Sequence, residues 1–316
     1  MRGARTVCAA ATVAAMAIAG CASSTDDGGP VTSSAGQAST GQSGSATSGS
    51  AGFGASSSAA ADDTRTLTNL GDSFSAAVGV QPLVEDSYFL CMRSSRNFAH
   101  LLAAEESYRL DDVSCGGADT SDFFGAQYDG VPPQIEAVAA DTDVVTVMIG
   151  GNDSSIYTRA IGTCSDLAAD DPSGSPCRDA HGAEYVDIIR DRTYPALRRA
   201  LSAVRAKAPD ARVIVVGYPW ILPERTGCYP TMRVAAGDVP YLRELQAELN
   251  DAIRRAAEIT GASYVDMSSV SQGHDACAPV GQRWIEPQTG ANGAAPVHPN
   301  ELGQQAIADR VAAVLR

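Results

Sequence analysis

Positive charge is scarce in this chain. Its 316 residues carry 23 Lys and Arg against 37 Asp and Glu, a formal net charge of −14. That excludes a nucleic-acid partner, because affinity for phosphate backbones rests on clustered Lys and Arg. Histidine is scarcer still, with four copies. No C-x-x-C occurs and no histidines lie close together, so the spacing of a structural zinc site is missing, and no metal or other cofactor is expected. The apolar stretch Val7 to Ala19 is too short to span a bilayer as a permanent helix. No internal repeat recurs, which excludes solenoids and propellers.

What is present begins with a targeting pattern. Arg2 and Arg5 form a basic region ahead of Val7–Ala19, the order found in export signals. The stretch closes with Ile18-Ala19-Gly20-Cys21, which resembles the lipobox of bacterial lipoproteins. The resemblance implies a signal peptide over residues 1–20 and lipidation of Cys21, which then becomes the mature N-terminus. A plain secretory signal with a chance cysteine is the alternative, and either implies export. Residues 22–61 are Ser, Gly, Ala and Thr with almost no apolar bulk. Such a segment cannot bury enough surface to offset its ordering entropy, so a flexible tether is expected over 21–61 and one folded domain over 62–316. The expected location is the outer face of the cell membrane, through the lipid anchor. Beyond Cys8 and Cys21, six cysteines remain, an even number that implies disulfides in an exported protein. Fifteen connectivities are open. Short loops are the easiest to close, which favours Cys91–Cys115, Cys164–Cys177 and Cys228–Cys277.

From residue 62 onward, strands and helices alternate. Thr66 to Leu70 alternates apolar and polar residues and stops at Gly71-Asp72-Ser73, as a strand ending in a turn does. A serine there faces the crevice in which open α/β sheets bind ligands; alone, Ser73 equally reads as a helix cap. Asp143 to Ile149 is a continuous β-branched run, a strand buried on both faces, and it ends in Gly150-Gly151-Asn152-Asp153. Turn chemistry alone also accounts for that tetrapeptide. Arg212–Tyr218 and Ser263–Met267 read as further strands. Helices are expected over Asn97–Ser107, over much of Glu184–Ala208 with Pro195 as a break, from Asp238 to Gly261, and over Glu301–Leu315. Cys164 to Cys177 reads as a stapled surface loop. The βα alternation implies an α/β fold with a parallel sheet and helices on both faces.

Gly71-Asp72-Ser73-Phe74-Ser75, Gly117, Gly150-Gly151-Asn152-Asp153 and His298-Pro299 occur in the order of the SGNH (GDSL-like) hydrolase family, which the chain resembles from about Thr66 to Arg316. The resemblance implies a three-layer α/β/α sandwich with a central parallel sheet, and an esterase or lipase acting on carboxylic esters, small-molecule or lipid. It implies Ser73 as nucleophile and His298 as general base. Ser73 N–H, Gly117 N–H and the Asn152 side chain then form the oxyanion hole, with Gly117 chosen over Gly116 by analogy with a Cys-x-Gly-Ala run in actinobacterial relatives. The chemistry asks for the same residue types. A serine hydroxyl needs a base to take its proton, an imidazole exchanges protons near neutral pH, and the developing oxyanion needs donors already in place. No G-x-S-x-G elbow occurs, which disfavours the α/β-hydrolase route.

The chain departs from the family at Ala295, where most members carry an aspartate three residues before the histidine. The Ala295 backbone carbonyl is expected to orient His298 instead, giving a Ser–His dyad; Asp275 and Glu286 are the acidic alternatives. Trp284 and Ile285 are expected either to line an apolar acyl pocket or to pack in the core. A carbohydrate or cell-wall O-acetylesterase is the competing enzymatic reading, and a non-catalytic lipid- or glycan-binding surface lipoprotein the competing reading outside catalysis.

Overall fold

In a computed structural model of the chain, residues 64–316 are described. The expected signal, Cys21 and the expected tether lie outside them. Five strands form one parallel sheet in the order β2-β1-β3-β4-β5. The elements run β1 (Thr66–Gly71), α1 (Ser73–Ala76), α2 (Phe98–Glu106), β2 (Arg109–Asp112), β3 (Val144–Met148), α3 (Ile156–Asp170), α4 (Pro176–His181) and α5 (Glu184–Ile188). They continue with α6 (Tyr194–Lys207), β4 (Arg212–Val216), α7 (Val239–Ile259), β5 (Ser263–Val265) and α8 (Glu301–Leu315). Helix α2 packs on α8 and α6 on α7, and these pairs flank the sheet.

Strand β3 is buried along its whole length, as its β-branched run requires. It pairs with β1 in a register that sets Leu70 opposite Val147 and Gly71 opposite Met148. The chain leaves β1 toward one side and β3 toward the other, so the crevice between their C-terminal ends is the topological switch point where open sheets bind ligands. A side chain at Gly71 would meet the Met148 carbonyl at 2.5 Å, so only glycine lets the strand end this close to its neighbour.

All three disulfides follow the sequential pairing. Cys164–Cys177 does not staple a loop, however. It joins α3 to α4, both of which the Asp-, Pro- and Ser-rich composition had concealed. The long helix expected over Glu184–Ala208 is broken by one wide turn at Ile189–Thr193, just before Pro195, whose ring nitrogen has no hydrogen to give the preceding turn.

Beneath the β1–β3 crevice lies a buried polar net centred on Asp112. Its carboxylate accepts from Asn69 on β1 (2.9 Å), from Asn97 at the start of α2 (2.6 Å) and from the Ser114 hydroxyl (2.7 Å). Asn69 in turn accepts from Thr146 on β3 at 2.8 Å and bonds Ser75 of α1 at 3.1 Å. Burial alone raises the Asp112 carboxyl, but His100, the Arg93 charge and these donors outweigh it and hold the group below the ordinary carboxylate range. Asp112→Ala strands those donors in the interior. The expected loss is about 3 kcal/mol of unfolding free energy, read as a lower urea midpoint, with Asp112→Asn losing less because one acceptor oxygen remains.

Candidate active site

Ser73 is the first residue of α1, and the cap of that helix is Asp72, whose side chain accepts the Phe74 N–H at 2.9 Å. The capping explanation for Ser73 therefore falls to its neighbour. Among the described residues nothing accepts the Ser73 N–H, as first-turn geometry dictates. The preceding glycine is held from two sides, since Gln134 accepts the Gly71 N–H at 2.8 Å and donates to its carbonyl at 2.9 Å.

The far oxygen of Asp72 accepts a hydrogen bond from the Tyr218 hydroxyl, and the same hydroxyl accepts the Gly151 N–H at 3.0 Å. Tyr218 lies just beyond β4, and Asn250 of α7 grips its backbone N–H and C=O at 2.8 and 2.9 Å. One phenol thus joins the ends of β1 and β3. Burial pushes the Asp72 carboxyl up to about 7, against the opposing pull of Tyr218 and the neighbouring N–H groups. Burial, followed by the Asp72 charge, pushes the phenol well above its ordinary range, so it remains a donor.

Asn152 follows directly. Its side-chain amide donates to the Ala118 carbonyl at 2.9 Å, which fixes the group and uses one of its two hydrogens. Asp153 is buried and accepts both the N–H and the hydroxyl of Thr120 (2.9 and 2.8 Å), tying the loop after β3 to the segment after Gly117. Gly116 donates its N–H to the Cys91 carbonyl at 2.9 Å, whereas among the described residues nothing accepts the Gly117 N–H. Gly117 sits at φ +77°, a backbone state that suits glycine. It is exposed and is not among the residues that line the cavity described below.

His298 hangs on a loop before α8 that pairs with the segment 284–286. Ile285 bridges Pro299, the Glu286 N–H reaches the His298 carbonyl at 2.9 Å, and the Val297 N–H reaches the Glu286 carbonyl at 2.9 Å. The ring Nδ1 meets the Pro296 carbonyl at 2.8 Å. The Ala295 expectation is therefore corrected by one residue. Val297 adopts φ +64°, which swings the Pro296 carbonyl under the imidazole, while the Ala295 carbonyl accepts the His298 backbone N–H at 3.2 Å. A carbonyl only accepts, so Nδ1 carries the hydrogen and the neutral ring keeps its lone pair on Nε2. Half-burial against Phe74, with ring centroids 5.2 Å apart, lowers the His298 pKa below the ordinary value.

Neither acidic alternative reaches the ring. The Glu286 carboxylate is taken by Asn300, the Asn292 N–H and Arg283, and that of Asp275 by the Cys277 N–H. Trp284 stacks on His274 with centroids 4.2 Å apart and Ile285 is fully buried, so both serve the His298 loop rather than a pocket wall.

Ser73, Asn152 and His298 line one cavity of about 310 Å³, near the lower end of small-molecule sites. Its apolar walls come from residues the sequence had not singled out: Tyr157, Ile161 and Ile221, with Gly162 and Val297. Helix α3 supplies three of these. Its buried Ile156, Ala160, Cys164 and Ala168 recur every four residues, and that period was the available signal.

Residues 70–306 match the family model of the GDSL-like Lipase/Acylhydrolase family. The chain is 51% identical over 260 residues to Lipase 2 of Streptomyces coelicolor, covering 81% of this chain and 88% of that protein. Among solved structures it resembles phospholipase A1 from Streptomyces albidoflavus NA297, at 26% identity and a TM-score of 0.67, over 79% of this chain and 99% of that one. An extracellular lipase from Streptomyces rimosus shares the fold at 24% identity and a TM-score of 0.65, over 79% of this chain and 99% of the other.

The Asp72 geometry has a consequence for stability. Its carboxyl is raised to about 7 in the folded chain and sits near 3.9 in an unfolded one. The folded state therefore holds a proton that the unfolded state releases, so this contribution is complete below pH ~4 and is lost as pH rises through ~7. Asp72→Asn removes the titration. The fall in unfolding free energy between pH 5 and pH 8, measured in urea, is expected to be smaller in the variant than in the parent.

Proposed function

The chain belongs to the GDSL-like lipase/acylhydrolase family and is a carboxylic ester hydrolase of the lipase/esterase kind, and from that premise we propose that it cleaves acyl esters through an acyl-enzyme on Ser73. The observation that carries this reading is the convergence of Ser73, Asn152 and a correctly tautomerised His298 on one apolar cavity. His298 Nε2 takes the Ser73 proton as Oγ attacks the ester carbonyl. The oxyanion forms against three donors with hydrogens to spare: Ser73 N–H, Gly117 N–H and the second amide hydrogen of Asn152. Collapse expels the alcohol, which receives the proton from His298. Water then attacks the acyl-serine with His298 again as base, releasing the acid and restoring Ser73. The Pro296 carbonyl does the orienting that an aspartate does elsewhere, so the base works as a dyad.

The walls favour acyl chains over acetyl groups, since Tyr157, Ile161, Ile221 and Val297 offer hydrocarbon where an acetyl ester has none to bury. Export is part of the proposal too. Three disulfides suit an oxidising compartment, and the N-terminal pattern ending at Cys21 supplies the signal and anchor.

The test is hydrolysis of p-nitrophenyl esters from acetate to palmitate. Ser73→Ala and His298→Ala are each expected to lower kcat at least about a thousandfold, and Asn152→Ala about a hundredfold or more. Full activity in Ser73→Ala overturns the proposal. A base must be neutral to act, so kcat/KM rises with pH. Burial lowers the His298 pKa, which places the midpoint of that rise below the ordinary histidine value of 6.5.

A further inference from the structure

Behind the cavity lies a second space that the mechanism does not use. Tyr157, Ile161 and Ile221 belong to the walls of both. On the far side the second space is lined by Leu222, Met232, Val234 and Leu242. Its one polar neighbour, Gln246, is spent: the amide accepts the Ile221 N–H at 3.1 Å and donates to the Pro219 carbonyl at 2.6 Å. The space measures only about 10 Å³, room for one water molecule at most. It is a narrow seam lined almost wholly by hydrocarbon.

We propose that this seam is the distal acyl subsite, and that Tyr157 is the partition between it and the catalytic cavity. The inference rests on the Ser73 acyl-enzyme reading and extends it to the substrate: esters whose acyl chain outruns the first cavity. Short chains end in front of Tyr157. Longer ones displace the partition and bury their terminal methylenes against Met232, Val234 and Leu242.

Three features point to a partition built to move. The Tyr157 hydroxyl is buried without a hydrogen-bond partner, although its ring lies 6.1 Å from that of Tyr218, so nothing polar locks it in the closed position. The residues leading into α3, Ser154 and Ser155, both stand at φ +55°, a left-handed state costly for residues other than glycine and commonest where segments move or bind. The far wall includes Met232, whose unbranched side chain re-packs around an incoming chain more readily than a branched one. The other half of α3 is anchored by Cys164–Cys177, which confines such movement to the turn carrying Tyr157 and Ile161.

The experiment compares kcat/KM for p-nitrophenyl butyrate and laurate in the full chain. Val234→Phe fills the seam and is expected to lower turnover of laurate about tenfold more than that of butyrate. Met232→Ala widens the seam and shifts the ratio the other way, so one variant decides the matter should the other fold poorly. Butyrate turnover and labelling of Ser73 by an organophosphorus probe report an intact site in each. A laurate-to-butyrate ratio that stays at the parent value in probe-labelled variants overturns the subsite. Butyrate turnover that survives Ser73→Ala overturns the underlying acyl-enzyme reading instead.

Discussion

One hydroxyl group connects the two strand ends that make this site. Tyr218 donates to Asp72, which caps the turn presenting Ser73, and accepts from Gly151, which precedes Asn152. A nucleophile and an oxyanion donor are useful only at a fixed separation, and a displacement of an ångström is costly in rate. The parallel sheet brings β1 and β3 side by side, but sheet pairing ends at Gly71 and Met148, just short of the functional residues. Beyond that point the phenol takes over the sheet's role. Its backbone is gripped by Asn250 and its ring meets the edge of Phe74 at 5.2 Å. In a buried setting these bonds are stronger than in water, and leaving any of them unmade costs more.

His298 is held on a different principle. Among the described residues no carboxylate bonds the His298 ring, so no fixed negative charge partners it. A backbone carbonyl supplies a dipole and the tautomer, and Phe74 supplies burial. Both the desolvation and the missing charge favour the neutral ring. Glu286, the nearest buried acid in sequence, braces the loop. Burial would raise its carboxyl, yet Asn300, the Asn292 N–H and Arg283 more than compensate and keep it ionised. That network holds the paired segment on which His298 is carried.

How much of this was legible in the sequence follows from how local each signal is. The ends of β1 and β3, the closing helix and the disulfide order are written in short runs, and they were found. Strand β2 was missed because Arg109-Leu110-Asp111-Asp112 is a polar edge strand with no apolar run to mark it. Helix α3 was missed because its acidic and small residues resemble loop composition, while the four-residue period of its buried face is weak. The carbonyl beneath His298 was placed one residue too early, since nothing local signals that a β-branched Val297 will take a left-handed conformation. Tyr218 gave no signal at all. Its role exists only where three strand ends meet, 146 residues from Asp72 in sequence.

These differences separate the molecule into two mechanical parts. Ser73 and Asn152 follow strand ends and His298 a braced loop, tied by Asp72, Tyr218, Asp153 and the 284–286 pairing. The apolar walls sit on α3, entered through two left-handed serines and carrying an unanswered phenol. Rigidity is needed where charge develops, because preorganised donors act only if they do not have to reorganise. Adaptability is needed where hydrocarbon is bound, because chains of different length must find dry surface without disturbing the donors. Placing the first on the sheet and the second on one helix, joined to the rest by a disulfide at its far half, lets the apolar wall yield while the strand ends hold.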